Sequence, residues 1–265
     1  MSYYENTLNK TVKELQNMKT FIKCQIIKFL ALFGYELMRV RKWKEAGTYN
    51  ILPLIVEHVI SQKKTKDFIF VQIGSNDGVS GDPIYPLLKK HPEWTGLFVE
   101  PNPDVFKKLT SLYPEKHNLS FANVAITDYD GKITLHLTPN DDRNSSINAD
   151  IAKIANHQCK TPTTPVVVDC VTLNTLFANY NVKDIDLFHV DAEGCDYKII
   201  TQLLRQTSVR PGILQFEHQL TSMTEYESLC SMLTHEGYNI LPVGIDTIAV
   251  RQMYSPVDEC KAEEG

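Results

Sequence analysis

The chain has 265 residues, 43% of them hydrophobic, and a formal net charge of −5. That length and apolar content support one substantial core plus an appendage and exclude a disordered chain. The negative balance argues against nucleic acid as the main partner, since phosphate binding needs a basic face. Six cysteines without a CxxC pair exclude a zinc knuckle or a disulfide framework, which suits a reducing cytoplasm.

The first distinctive segment, residues 20–40, is an apolar helical stretch interrupted by Lys23, Lys28 and Glu36. A membrane-spanning helix needs about 20 nearly uncharged residues, so a transmembrane reading is rejected. The polar lead over residues 1–19 argues against a signal peptide. Packing on the fold or on a second subunit, as in a homodimer, is the first reading of this helix. The basic residues Lys19, Lys23, Arg39, Arg41, Lys42 and Lys44 leave peripheral membrane contact through residues 20–40 as the second.

From residue 61 the pattern becomes alternating strand and helix. The apolar run 68–73 predicts a buried strand ending at Gly74, followed by Asp82-Pro83 as a helix start. A second strand ends at Glu100, and Asn102-Pro103 opens a helix with apolar positions 105, 106, 109, 112 and 113. Residues 119–126 predict a third strand, and 132–137 its hairpin partner after the turn 128–131. Residues 139–165 read as a polar loop or lid, with a short strand at 166–168 and a helix from Leu173. Residues 185–190 predict a central strand delivering Asp191, and 213–216 another tipped by Glu217 and His218. A helix closing at Gly237 and two strands, 239–243 and 247–251, complete the pattern. This order implies an α/β fold with a parallel, doubly wound sheet and an antiparallel hairpin at one edge. The chain divides into an N-terminal helical extension (1–60), a sheet domain (61–253) and an acidic tail (254–265).

A glycine at one strand end and an acid at the next is the layout of a nucleotide-type cofactor site. Gly74 lets the backbone turn sharply beside a ligand, and Glu100 is placed to accept both ribose hydroxyls. Gly74, Asn76 and Gly78 form GxNxG rather than the GxGxxG of a dinucleotide site, and Glu100 lies farther from Gly74 than the roughly 20 residues of that fingerprint. S-adenosylmethionine, which carries no phosphate, fits this pattern better.

Five segments in order carry a family resemblance: Val71-Gln-Ile-Gly-Ser-Asn-Asp-Gly78, Phe98-Val-Glu-Pro-Asn-Pro103, Asn123-Val-Ala-Ile126, residues 186–200 with Asp191-Ala-Glu-Gly194 at their centre, and Leu214-Gln-Phe-Glu-His218. Over residues 68–251 the chain resembles the FkbM-type, S-adenosylmethionine-dependent methyltransferases. The resemblance implies a Rossmann-like seven-stranded methyltransferase sheet. It implies Gly74, Asn76 and Gly78 around the methionine and ribose, Glu100 on the ribose, Asn102, Asn123 and Ala125 near the adenine, and Asp191 beside the amino-acid moiety or the acceptor. The family often carries lysine or glutamine two residues before the equivalent of Asp191. Here that residue is His189, read as a core histidine satisfied by hydrogen bonds.

Methyl transfer to a hydroxyl needs alignment in a dry cleft and a base to take the proton. His218, at the carboxyl edge of the sheet and with a near-neutral titration range, is the candidate base beside Asp191. Strand geometry points Glu217 the opposite way, so only one of the pair faces the cleft. Asp191, Glu193, Glu217 and His218 also have the chemistry for Mg²⁺ or Mn²⁺, but no metal is favoured, because Glu193 more simply begins a helix. Hydroxyls at Asn144-Ser-Ser-Ile147 either contact a ligand or close local turns. The expected activity is O-methylation of a hydroxyl on a sugar, glycan, glycolipid or small natural product. The alternatives are an NAD- or nucleotide-sugar-binding oxidoreductase, and a non-catalytic partner of a glycan-assembly enzyme.

Overall fold

The computed structural model describes residues 51–63, 67–114, 117–138, 145–147 and 163–252. The segment 20–40, Asn144, most of the 139–165 loop and the acidic tail lie outside the described residues.

Strand β1 (Ile69–Ile73) lies inside the sheet, four of its five residues buried and both its edges paired. It runs parallel to β2 (Thr95–Val99), which pairs in turn with β3 (Leu119–Ala122). The next two elements, β4 (Ala125–Ile126) and β5 (Gly131–Leu137), leave this sheet and join β6 (Thr164–Val171) in a separate three-stranded sheet of order β4-β6-β5. On its other side β1 pairs with β7 (Leu187–Val190), followed outward by β8 (Ile213–Glu217), β10 (Asp246–Arg251) and β9 (Tyr238–Val243). In the seven-stranded sheet β10 alone runs against the common direction, so the closing hairpin inserts its second strand next to β8 and leaves β9 at the edge.

Alternation along the strands distributes two cores. Phe70, Phe98, Leu187 and Ile213 face helices α1 (Leu52–Gln62), α2 (Tyr85–Lys90) and α3 (Pro103–Leu112). Val71, Val99, Phe188, Val190 and Phe216 face α4 (Leu173–Asn179), α5 (Asp196–Gln206) and α6 (Met223–His235). This is the doubly wound layering expected of alternating strands and helices. Among the described residues no helix is long and apolar enough to cross a membrane.

Several local expectations are corrected. The third strand ends at Ala122 rather than 126, because the Asn123 amide donates to the carbonyls of Glu100 and Pro101 and turns the chain out of the main sheet. Strand β5 therefore pairs with β6, Gly131 opposite Cys170 through Leu137 opposite Thr164, and β6 is eight residues long instead of three. Asp82 caps the turn ahead of α2, accepting from Ile84 and Tyr85 N–H, and the helix itself starts at Tyr85.

The expected division between residues 60 and 61 falls inside α1. Leu52, Val56 and Val59 are fully buried against the sheet, so this helix is built into the same core. Its end is fastened by Lys63, whose Nζ lies 2.7 Å from both Asp186 carboxylate oxygens and 2.6 Å from the Asp67 carbonyl oxygen. Asp186 also accepts from Ile69 N–H, so one buried ion pair joins α1 to the starts of β1 and β7. Lys63→Met is expected to destabilise the fold by about 3 kcal/mol, because it strands a buried carboxylate. A denaturant midpoint equal to that of the parent protein would contradict this.

Candidate active site

A cleft of about 390 Å³ opens at the carboxyl ends of β1, β2, β7 and β8. Its geometry starts at Gly74, which has φ +76°, and where a Cβ would lie 1.9 Å from the backbone carbonyl oxygen of Asp191. No other residue fits between the ends of β1 and β7. The glycine is thus demanded by the neighbouring strand as well as by space for a ligand. The loop that follows is pinned to β2: Gly74 and Ser75 N–H donate to the Val99 carbonyl, and Ser75 Oγ accepts from Val99 N–H.

Glu100 ties together the two loops at the β1 and β2 side of the cleft. Its Oε2 accepts from Asn76 N–H at 2.9 Å and its Oε1 from Asn102 N–H at 2.7 Å, so each loop supplies one amide. The carboxylate is buried and these two amides fix its orientation. These residues fit a ribose. Gly74, Asn76, Glu100, Ala125 and Asp191 all line the cleft.

Gly78, Asn102 and Asn123 are not among the residues lining the cleft, and each contacts the elements around it. A Cβ on Gly78 would lie 2.6 Å from Leu109 Cδ1, so this glycine exists to pack on α3. Asn102 is buried and caps α3 by accepting from Asp104 N–H. Asn123 braces the Glu100–Pro101 backbone. Ser146 is also a brace, its buried hydroxyl donating to the Glu193 carbonyl. Glu193 lies in a left-handed turn ahead of α5, and Asp196 takes the first helical turn instead.

The structure places His218 beside the cleft. Its Nδ1 lies 3.0 Å from Thr247 Oγ1, its ring packs on Tyr226, and it is not among the residues lining the cleft. Glu217 faces the cleft in its place, and so does Asp246, directly opposite Glu217 on β10. Sequence reasoning missed Asp246. The signal was there, because a final antiparallel strand must begin at the edge where the parallel strands end.

The strand register aligns these groups. Val190 pairs with Ile73 and Phe216, so Gly74, Asp191, Glu217 and Asp246 follow one another across four strands. One pleat below lie Gln72, His189 and Gln215, all at most 6% exposed. Burial pushes Glu217 up to about 7, with Asp191 and Asp246 adding to it. The Asp191 side chain, open to the cleft but enclosed by its walls, is pushed up to about 6 by desolvation and then by Asp246 and Asp82. Burial also raises Asp82 and Asp246, and it holds the His189 imidazole down at about 4. No Lys or Arg among the described residues lines the cleft, nor do three His, Cys, Asp or Glu side chains among them converge as metal ligands.

A family profile described as the methyltransferase FkbM domain matches residues 72–240. The chain belongs to the FkbM methyltransferase family. This is a family of S-adenosylmethionine-dependent methyltransferases, and the seven-stranded sheet is theirs. No curated protein matches the chain at a significant level. Among solved structures, a methyltransferase FkbM from Methylobacillus flagellatus KT is similar at 10% identity and a TM-score of 0.44, over 73% of this chain and 47% of that one. The chain thus spans about half the length of that relative. Aeropyrum pernix fibrillarin, solved with natively bound S-adenosyl-L-methionine, gives 11% identity and 0.38 over 69% of this chain and 66% of its own. A human methyltransferase 10 domain containing protein gives 14% and 0.42, over 77% and 82%.

Proposed function

We propose that this FkbM-family protein methylates a hydroxyl group on a sugar, a glycan or glycolipid, or a small natural product. The observation that carries the reading is Glu217: it faces the cleft, lies beyond Asp191 from the ribose-side Glu100, and sits near 7 where a base for neutral pH belongs. Glu100, Gly74, Asn76 and Ala125 would hold the adenosine half of S-adenosylmethionine, with Asp191 toward its methionine end. When bound, that cofactor supplies a methyl carbon on a sulfonium, open to in-line displacement. Glu217 takes the proton from the attacking hydroxyl at a carboxylate oxygen, which leaves a neutral ether. Asp196 holds the end of β8 in place, its Oδ1 accepting from Glu217 N–H at 3.3 Å. The apolar walls from Ala125, Ile126 and Ile199 exclude water from the reacting centre.

Calorimetric melting tests the cofactor half. S-Adenosylmethionine at 100 times its dissociation constant is expected to stabilise the fold by about 2.7 kcal/mol. No shift with S-adenosylmethionine, together with a clear one with NAD, would replace this reading with a dinucleotide-dependent oxidoreductase. Mass measurement after incubating labelled donor with a panel of sugars tests the acceptor half.

A further inference from the structure

The cleft is unbalanced in charge and in hydrogen bonding. Asp82, Asp191, Glu217 and Asp246 all face it, and among the described residues none forms an ion pair with Lys or Arg. The imidazoles that could compensate do not. Burial keeps His189 neutral, and His218, the nearest to Asp246, is also shifted toward its neutral form by burial. Beneath the carboxylates, two lining residues that are at least nine-tenths buried have polar atoms without a partner, Gln72 Oε1 and His189 Nδ1. Gln215, behind them, gives its Nε2 to Asp246 Oδ2 at 3.2 Å and leaves its own Oε1 without a partner. The carboxylates and the two amide oxygens are therefore acceptors in excess, with no Lys or Arg among the described residues lining the cleft to meet them. Burying such groups is costly until a ligand completes them.

The cofactor accounts for only one side. From Glu100 to Asp246 there are four strand spacings, roughly 19 Å at about 4.8 Å each. A donor gripped by Glu100, with its methionine end over β1 and β7, leaves Asp246 on the far side of Glu217.

Building on the methyltransferase reading, we propose that the acceptor carries a protonated amine next to the hydroxyl that is methylated, and that Asp246 holds this ammonium. Glu217 then stands between the two cations, free to take the hydroxyl proton. Ile245, 43% exposed at the rim of the same cleft, offers an apolar surface to the carbon frame bearing both groups. Phosphorylated or carboxylated acceptors would be repelled by the same carboxylates.

The test is a titration of protein loaded with S-adenosylhomocysteine, at pH 7.5, with three probes on one ring: trans-2-aminocyclohexanol, trans-1,2-cyclohexanediol and 2-hydroxycyclohexanecarboxylate. The amine is expected to bind about tenfold more tightly than the diol, as one charge-assisted bond predicts, and the carboxylate more weakly than either. Added salt should narrow the gap. Asp246→Asn should erase the amine preference and Asp246→Glu should keep part of it, while S-adenosylhomocysteine affinity in both variants confirms an intact fold. Equal binding of amine and diol, no binding of the amine, or a preference that survives Asp246→Asn would overturn the proposal while leaving the methyltransferase reading in place. Failure of the parent protein to bind S-adenosylhomocysteine would sink both.

Discussion

Glu217→Gln is expected to lower turnover by about 10²- to 10⁴-fold, the usual contribution of a general base, while S-adenosylmethionine still binds. The carboxylate works as a base only when ionised, so the parent kcat/KM should rise with pH through about 7, and the variant should lose that rise. His218→Ala is the control. With its ring held by Thr247 and Tyr226 away from the cleft, its removal should leave the limb near pH 7 in place. A His218→Ala enzyme that lost this limb, beside a fully active Glu217→Gln, would reverse the assignment. The same residue links pH to stability. Its folded value lies above the ordinary 4.5, so its contribution is present below that value and is lost as pH rises through about 7. Gln imitates the protonated acid, so the variant should melt a few degrees higher than the parent at pH 8 and level with it at pH 4.

The second large effect concerns Glu100. Glu100→Ala is expected to weaken S-adenosylmethionine binding by about 10²- to 10³-fold, since hydrogen bonds to a charged group contribute roughly 1.5–3 kcal/mol each. The loss has two sources. The ribose hydroxyls lose their acceptor, and the N–H groups of Asn76 and Asn102 lose the oxygens that order both loops. Glu100→Gln is expected to be nearly as damaging, because its NH₂ must face one of those N–H groups. Calorimetric titration of each variant measures the effect, and affinity equal to that of the parent would remove Glu100 from the cofactor site.

Much of this geometry was legible because it is local. Gly74 ends an apolar run and Glu100 ends the next, and turn chemistry at Asn102-Pro103 and Gly237 marks helix limits within a residue or two. Asn102, Gly78 and Asn123 show where local reading stops. Each lies in a segment that carries the family resemblance, and each supports the site rather than lining it, a distinction made by Leu109, Asp104 N–H and the Glu100 carbonyl. The choice between Glu217 and His218 was equally out of reach, for adjacent residues on a strand differ only in which face they take.

The sequence by itself determined the order of strands and helices, the glycine–acid pair at two strand ends, and the polar residue two positions before each of Gly74, Asp191 and Glu217. Those are properties of short stretches, set by alternation and by backbone sterics. Only the tertiary structure decided that β10 inserts beside β8 and that Asp191, Glu217 and Asp246 share one edge. The protonation of that row, and hence its chemistry, depends on desolvation and on fields between side chains up to 109 positions apart, from Asp82 to Asp191, which no local pattern encodes.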